Sequence, residues 1–283
     1  MAIENISDTA RWVAVYRAME SARPDAIFRD PFAERLAGSR GQAIVDEMRQ
    51  GRALAWPMIV RTAVFDEIIL DAVRNKKIDL VVNLAAGLDA RPWRLPLPPA
   101  LHWVDVDLPA ILGYKTEALK DEVPVCRYEA VAADMTDTAA RRDLFSRLGA
   151  GAANALIVTE GLLVYLEAEQ VAALATDLHA QPSFQEWLID LASPQLLQRM
   201  SKTWGKKLEA SGAPFRFGPA ESTAFFLPYG WREAVYRSLW EEAKRLHRTM
   251  KGAWLWDLIG RLMPKKSREA FRRFSGLVLL ERA

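Results

Sequence analysis

Three apolar runs of this sequence, at residues 102–106, 125–132 and 155–159, end at or just before an acidic side chain: Asp107, Asp134 and Glu160. A fourth run, 79–84, ends instead in Ala85-Ala86-Gly87, small residues that let a ligand approach the backbone. Carboxylates drawn to one edge repel one another unless something between them carries positive charge and hydrogen-bond donors. Taken singly, each acid is as well read as a solvated loop residue. Taken with the small-residue loop, they point to a ligand with a cationic centre, hydroxyls and an amino group. The loop lacks the full G-x-G-x-x-G spacing, which favours a ligand without a pyrophosphate to cradle on a helix N-terminus.

Other chemistries find less support. The single cysteine, Cys126, sits in a strand-like Val-Pro-Val-Cys-Arg-Tyr run and reads as a buried, inert thiol. No CxxC or His-rich spacing marks a metal site. The three histidines, His102, His179 and His247, fall at a strand start, at a helix end and between two arginines, where structural or solvated roles suit them better than general-base work. No catalytic residue is singled out. With 38 basic and 36 acidic side chains the net charge is +2, so no nucleic-acid partner is indicated. Lys265, Lys266, Arg268, Arg272 and Arg273 form a local basic cluster, read as a solvated face. The opening Met-Ala-Ile-Glu-Asn lacks a secretion signal. The apolar stretch 252–263 is too short to span a bilayer and contains Asp257 and Arg261. A cytoplasmic protein without a membrane partner is the expectation, and no oligomeric state is indicated.

The elements that must position the acids alternate. Strands are predicted at 79–84, 102–106, 125–132, 155–159 and 186–191, separated by helices at 108–119, 138–148 and 167–179. That rhythm predicts a doubly wound, mostly parallel α/β sheet, whose ligands bind beyond the carboxyl ends of the strands. Ahead of it, 1–75 reads as helical, with helices at 9–21 (Asp8 as N-cap), from 32 and at 60–74. Residues 76–192 form the core. Residues 193–275 form a helical cap over the substrate, with a helix at 196–208, a strand at 215–218 and amphipathic helices through 231–274 carrying Trp231, Trp240, Trp254 and Trp256. A final strand occupies 276–283. The whole is read as one domain.

S-adenosylmethionine answers the description of the ligand, with its sulfonium, ribose diol and adenine amino group. Asp107 is placed to accept both ribose hydroxyls. Asp134 is placed to reach the adenine amino group, with Met135 packing on the ring, and Glu160 to orient the ammonium group. The run Val81-Val82-Asn83-Leu84-Ala85-Ala86-Gly87-Leu88-Asp89-Ala90-Arg91-Pro92-Trp93-Arg94-Leu95 resembles the signature of the leucine carboxyl methyltransferase family. So, in order, do Arg61-Thr62, Asp105-Val106-Asp107-Leu108-Pro109, Ala133-Asp134-Met135 and Thr159-Glu160-Gly161-Leu162-Leu163-Val164-Tyr165-Leu166. Ser7-Asp8-Thr9-Ala10-Arg11 and Arg29-Asp30-Pro31-Phe32 are similar to bacterial members. That family covers protein phosphatase methyltransferases and many bacterial relatives, including enzymes that methylate polyketides.

The resemblance implies a class I methyltransferase fold, Rossmann-like, and S-adenosylmethionine as cofactor. It implies that Arg61, helped by Arg11, pairs with the cofactor carboxylate. Ala85, Gly87 and Leu108 complete the expected cofactor lining. Ala85 departs from the family's Gly-Ala-Gly and adds a methyl group there. Tyr165 either lines the acceptor side or packs in the core. The expected reaction is O-methylation of a carboxylate on a small metabolite, since a carboxylate needs no general base. A phenol or other hydroxyl acceptor, a protein C-terminus as acceptor, a cofactor-binding protein without transfer activity and a nicotinamide oxidoreductase are the other readings.

Overall fold

The computed structural model describes residues 7–47, 51, 55–210, 214–250, 252–253 and 264–283. The opening pentapeptide, Trp254, Trp256 and most of the 252–263 stretch lie outside them.

Five strands follow the predicted rhythm: β1 (Leu80–Leu84), β2 (His102–Asp107), β3 (Arg127–Ala132), β4 (Ala155–Thr159) and β5 (Phe184–Ala192). Two more, β6 (Trp231–Ser238) and β7 (Ser275–Arg282), complete a seven-stranded sheet of order β3-β2-β1-β4-β5-β7-β6. Only β7 is reversed, pairing antiparallel with both β5 and β6. β1 and β4 are buried at every position, as strands covered on both faces must be. The order reverses between β1 and β4, which opens a crevice at their carboxyl ends.

The helices are α1 (Ser7–Ser21), α2 (Ala33–Glu47), α3 (Trp56–Asn75), α4 (Arg91–Arg94), α5 (Pro109–Ala118), α6 (Thr138–Ala150), α7 (Ala168–His179), α8 (Pro194–Ala210), α9 (Leu239–Arg245) and α10 (Lys265–Arg272). Local chemistry fixes several starts. Asp137 caps α6 by accepting from the Ala139 and Ala140 amides, and Glu167 with Gln170 forms a capping box on α7. Proline opens α3, α4 and α5, where the missing N–H costs nothing. On one face of the sheet, Phe145, Leu174 and Leu178 of α6 and α7 pack with Trp187 and Trp231. On the other, Val64, Phe65 and Ile69 of α3 pack with Trp103 and Ala243. Trp12, Tyr16, Leu36 and Ile44 join α1 to α2 in a third cluster.

Three expectations are corrected. Residues 231–238 form an edge strand rather than part of a helix, because β7 offers them a ladder, interrupted once between Glu233 and Val235, while three of the eight residues are exposed. Residues 215–218 are not a strand. Their backbone is held instead by the Val164 carbonyl, which accepts from the amides of Arg216 (2.7 Å) and Phe217 (3.2 Å). Asp8 does not precede its helix but sits buried in the first turn, where Arg40 grips both its oxygens at 2.6 Å. Cys126 is buried, and burial pushes its thiol up to about 11. Among the described residues, no helix is long and apolar enough to cross a membrane.

Candidate functional site

A cavity of ≈ 980 Å³ runs along the carboxyl edge of the sheet. Arg61, Ala85, Gly87, Asp107, Leu108, Asp134, Met135, Glu160 and Tyr165 all line it. Arg11 does not. Its guanidinium lies 3.7 Å over the Tyr114 ring, on the far side of α1, so the structure leaves only Arg61 of that expected pair at the cavity.

The first loop turns by two left-handed residues, Ala85 (φ 54°) and Gly87 (φ 52°). That turn aims the Gly87 amide at Asp107, whose Oδ2 accepts it at 2.6 Å while Oδ1 accepts the Leu108 amide at 2.7 Å. Each oxygen keeps a further lone pair for a ligand. Burial raises the Asp107 pKa, opposed by these two amide bonds. Asp134 is exposed at the end of the β3 loop. Its Oδ1 accepts the Thr136 amide (2.9 Å) and hydroxyl (2.7 Å), which lower its pKa. Leu108 is 37% exposed despite being apolar, and Met135 is half-buried beside it in the cavity wall.

Glu160 is built into a charged network. Arg61 Nε donates to it at 2.9 Å and Arg91 Nη1 stands 2.8 Å from its other oxygen. Burial works against its ionised form, yet the Arg91 and Arg61 charges outweigh burial and hold its pKa below the usual value. Arg61 also donates from Nη1 to Asp190 at 2.9 Å, and Asp190 accepts the Gly161 amide at 2.7 Å. Those two contacts leave N–H donors on the Arg61 fork. Tyr165 hydrogen-bonds Thr9 and stacks on Phe215, ring centroids 5.6 Å apart. Its hydroxyl pKa is raised by burial, against the pull of Arg61 and Thr9.

Sequence reasoning missed several participants. Asp190 lies near the end of β5, where an acid is unremarkable by itself; it gains meaning only from Arg61, 129 positions away. Asp89 and Arg91 lie inside the quoted signature, but nothing in their spacing shows that Arg91 joins Asp89, Asp66 and Glu160. Trp56 and Phe274, at the start of α3 and before β7, also reach the cavity. None of the three histidines lines it. His102 pairs with Glu129 at 3.1 Å, and the His179 ring meets Trp231 edge to face.

Comparison with known proteins agrees with this geometry. Residues 10–179 match the model of the leucine carboxyl methyltransferase family. A Streptomyces coelicolor protein named provisionally as an S-adenosyl-L-methionine-dependent methyltransferase is 31% identical, covering 86% of this chain and 88% of its own. A Mycobacterium tuberculosis protein of the same provisional name is 31% identical, with 80% of each chain covered. Against a Parafrankia relative at 37% identity, the match spans only 58% of that protein. Among solved structures, a DUF574 family protein from Streptomyces avermitilis shares the fold, with TM-score 0.60, 15% identity and 97% of both chains covered. A protein from Thermobifida fusca does likewise, with TM-score 0.60, 14% identity and coverage of 100% and 96%. By the extent of the family match and of the Streptomyces coelicolor alignment, this chain belongs to the leucine carboxyl methyltransferase family.

Proposed function

We propose that this protein transfers the methyl group of S-adenosylmethionine to a carboxylate oxygen of a small metabolite. As a member of its family the chain is an S-adenosylmethionine-dependent methyltransferase. The finer reading rests on one observation: the loop at Ala85 and Gly87, the carboxylates Asp107, Asp134 and Glu160, and Arg61 line a single cavity that no histidine enters.

The cavity residues suit the cofactor. Asp107, already oriented by two amides, presents its free lone pairs to the ribose hydroxyls. Asp134 accepts from the adenine amino group, with Leu108 and Met135 against the ring. Glu160 receives the ammonium group, and the remaining donors of Arg61 receive the carboxylate. These two side chains are held 2.9 Å apart, so they offer opposite charges to the zwitterionic end of the ligand.

The bound cofactor supplies an electrophilic methyl carbon. Its transfer to a carboxylate oxygen would break the carbon–sulfur bond and leave a methyl ester and S-adenosylhomocysteine, with no proton released. A carboxylate is ionised at neutral pH and needs no base, whereas a phenol gains from one. Glu160 and Asp190 are engaged by arginines, and Tyr165 is held protonated by burial, so each is a poor base. The work left to the protein is alignment of acceptor and methyl group and exclusion of water.

Calorimetric titration with S-adenosylmethionine and S-adenosylhomocysteine tests the cofactor half. Wild type is expected to bind both, and Asp107→Ala to weaken binding roughly a hundredfold, the worth of two charge-assisted hydrogen bonds. Absence of wild-type binding would overturn the reading. For the acceptor half, the product discriminates: a methyl ester is cleaved by mild base, while a methyl ether survives and would assign a hydroxyl acceptor.

A further inference from the structure

The cavity changes character along the sheet edge. Over β3, β2, β1 and β4 it carries the polar side chains described above. Beyond β5, towards β7 and β6, rings take over. Trp56, the first residue of α3, meets Trp240 of α9 edge to face at 6.1 Å. Trp240 meets Phe271 of α10 at 6.1 Å in the same manner, and Phe271 stacks on Phe274 at 6.4 Å. Four rings from three helices and the turn before β7 thus form one unbroken file, and all four line the cavity. The stacked pair Tyr165 and Phe215 borders the same space.

These rings are not packed as core residues are. Trp103, Trp187 and Trp231 are fully buried. Trp56, Trp240, Phe271 and Phe274 are each only half-buried. A file assembled merely to hold helices together would bury its faces; this one leaves ring surface turned to the cavity. Such surface favours a partner that is itself flat and aromatic, through offset-stacked and edge-to-face contacts in addition to area removed from water. Space allows it as well. At ≈ 980 Å³ the cavity lies at the top of the range for ligand sites, and it extends from the polar end to the ring file.

We infer that the acceptor is a ring-containing, flat carboxylic acid whose body lies along the Trp56, Trp240, Phe271 and Phe274 file, with its carboxylate towards the Glu160 end. This rests on the methyl-transfer reading for the position of the carboxylate, but not for the affinity of the ring file.

The test is a binding series on the full chain saturated with S-adenosylhomocysteine. It uses 2-naphthoic acid, 2-naphthol, octanoic acid and succinic acid as probes. 2-Naphthoic acid is expected to bind at least about tenfold more tightly than octanoic acid, with succinic acid weakest. Trp240→Ala is expected to weaken 2-naphthoic acid roughly tenfold, and Trp240→Phe to restore most of the loss, while S-adenosylhomocysteine affinity stays at the wild-type value in both. Octanoic acid binding as tightly as 2-naphthoic acid, or Trp240→Ala leaving 2-naphthoic acid unaffected with cofactor binding intact, would overturn the inference. If Trp240→Ala loses S-adenosylhomocysteine binding, Phe271→Leu carries the test: the ratio of 2-naphthoic to octanoic acid affinity is expected to fall, and an unchanged ratio overturns the inference. The two readings fail separately. Tight binding of both naphthyl probes, with 2-naphthol the one methylated once S-adenosylmethionine replaces S-adenosylhomocysteine, upholds the ring file and rejects carboxylate chemistry. Base-labile methylation of succinic acid with no naphthyl binding does the reverse.

Discussion

Ala85 holds a backbone angle that glycine occupies freely and alanine does not. At φ 54° its Cβ crowds the following carbonyl, at a cost of about 1–2 kcal/mol. The protein bears that cost because the turn is what carries the Gly87 amide to Asp107. Gly87 itself is more constrained: at φ 52° a Cβ there would meet the Ala10 methyl at 3.1 Å. Ala85→Gly is therefore expected to raise unfolding free energy by about 1 kcal/mol, the relief of strain less the added freedom of the unfolded chain. Urea denaturation measures this. S-adenosylmethionine affinity is expected to be equal or higher, since the amide position is unchanged. A loss of stability would show that the Ala85 methyl makes a contact worth more than the strain.

At the scale of elements, the site depends on how the end of β5 is tied to the loop after β4. Asp190 contributes to this with one oxygen on the Gly161 amide and the other on Arg61. Gly161 must be glycine for this, since at φ 69° a Cβ would sit 3.1 Å from Arg61 Nη1. Asp190→Asn keeps an oxygen for one of the two donors but removes the charge that Arg61 faces. The expected result is a folded protein that binds S-adenosylmethionine roughly tenfold more weakly, by calorimetry. Unchanged affinity would assign Asp190 to the fold alone.

The same scale explains what was legible in advance. β1 to β5 were readable because strands buried on both faces are apolar runs, and their carboxyl ends had to share an edge. That placed Asp107, Asp134 and Glu160 at one edge, and all three line one cavity. β6 was not readable: among its eight residues only Trp231 and Ser238 are buried, so its pattern carries no strong period, and its partner β7 lies beyond residues 239–274 in the sequence. Arg11 was misplaced for a related reason. Which face of α1 turns inward is set by contacts with α2 and α3, and Tyr114 of α5 takes the Arg11 guanidinium.

Across the whole molecule, charge is nearly balanced, and one group of its buried ion pairs is linked end to end, with Asp30 joining Arg17 to Arg94. Arg17 pairs with Asp30, Arg94 and Arg91 share Asp66, Arg91 reaches Asp89 and Glu160, and Arg61 joins Glu160 to Asp190. It runs from the N-terminal helices to the end of β5, so the helical part and the sheet are joined through the site itself. Within it, Asp89 is buried, which opposes ionisation, but Arg91, Lys115, Arg94 and Arg17 outweigh burial and hold its pKa well below the usual range. Glu160 is depressed in the same way.

A carboxylate whose folded pKa is lowered contributes stability above its unfolded value and loses it as pH falls through the folded one. Asp89 and Glu160 therefore stabilise the fold fully at neutral pH. Their contribution declines below about pH 4, where unfolded carboxylates begin to take up protons. Asp107 has the opposite sign: its raised pKa favours the fold most when protonated, and that small contribution is lost as pH rises through the folded value. The two signs separate stability from function. Urea midpoints are expected to hold steady as pH is lowered until the ordinary carboxylate range is reached, then to fall steeply. S-adenosylmethionine affinity is expected to weaken earlier, as Asp107 takes up its proton while the buried network stays ionised. Asp89→Asn should cost about 2 kcal/mol at neutral pH, because Arg91 keeps Asp66 and Glu160 but loses one charge-assisted partner, and should flatten the acid limb of the stability curve. If the limb stays as steep in that variant, the acid sensitivity lies elsewhere and the buried chain of charges does not couple the two parts of the protein.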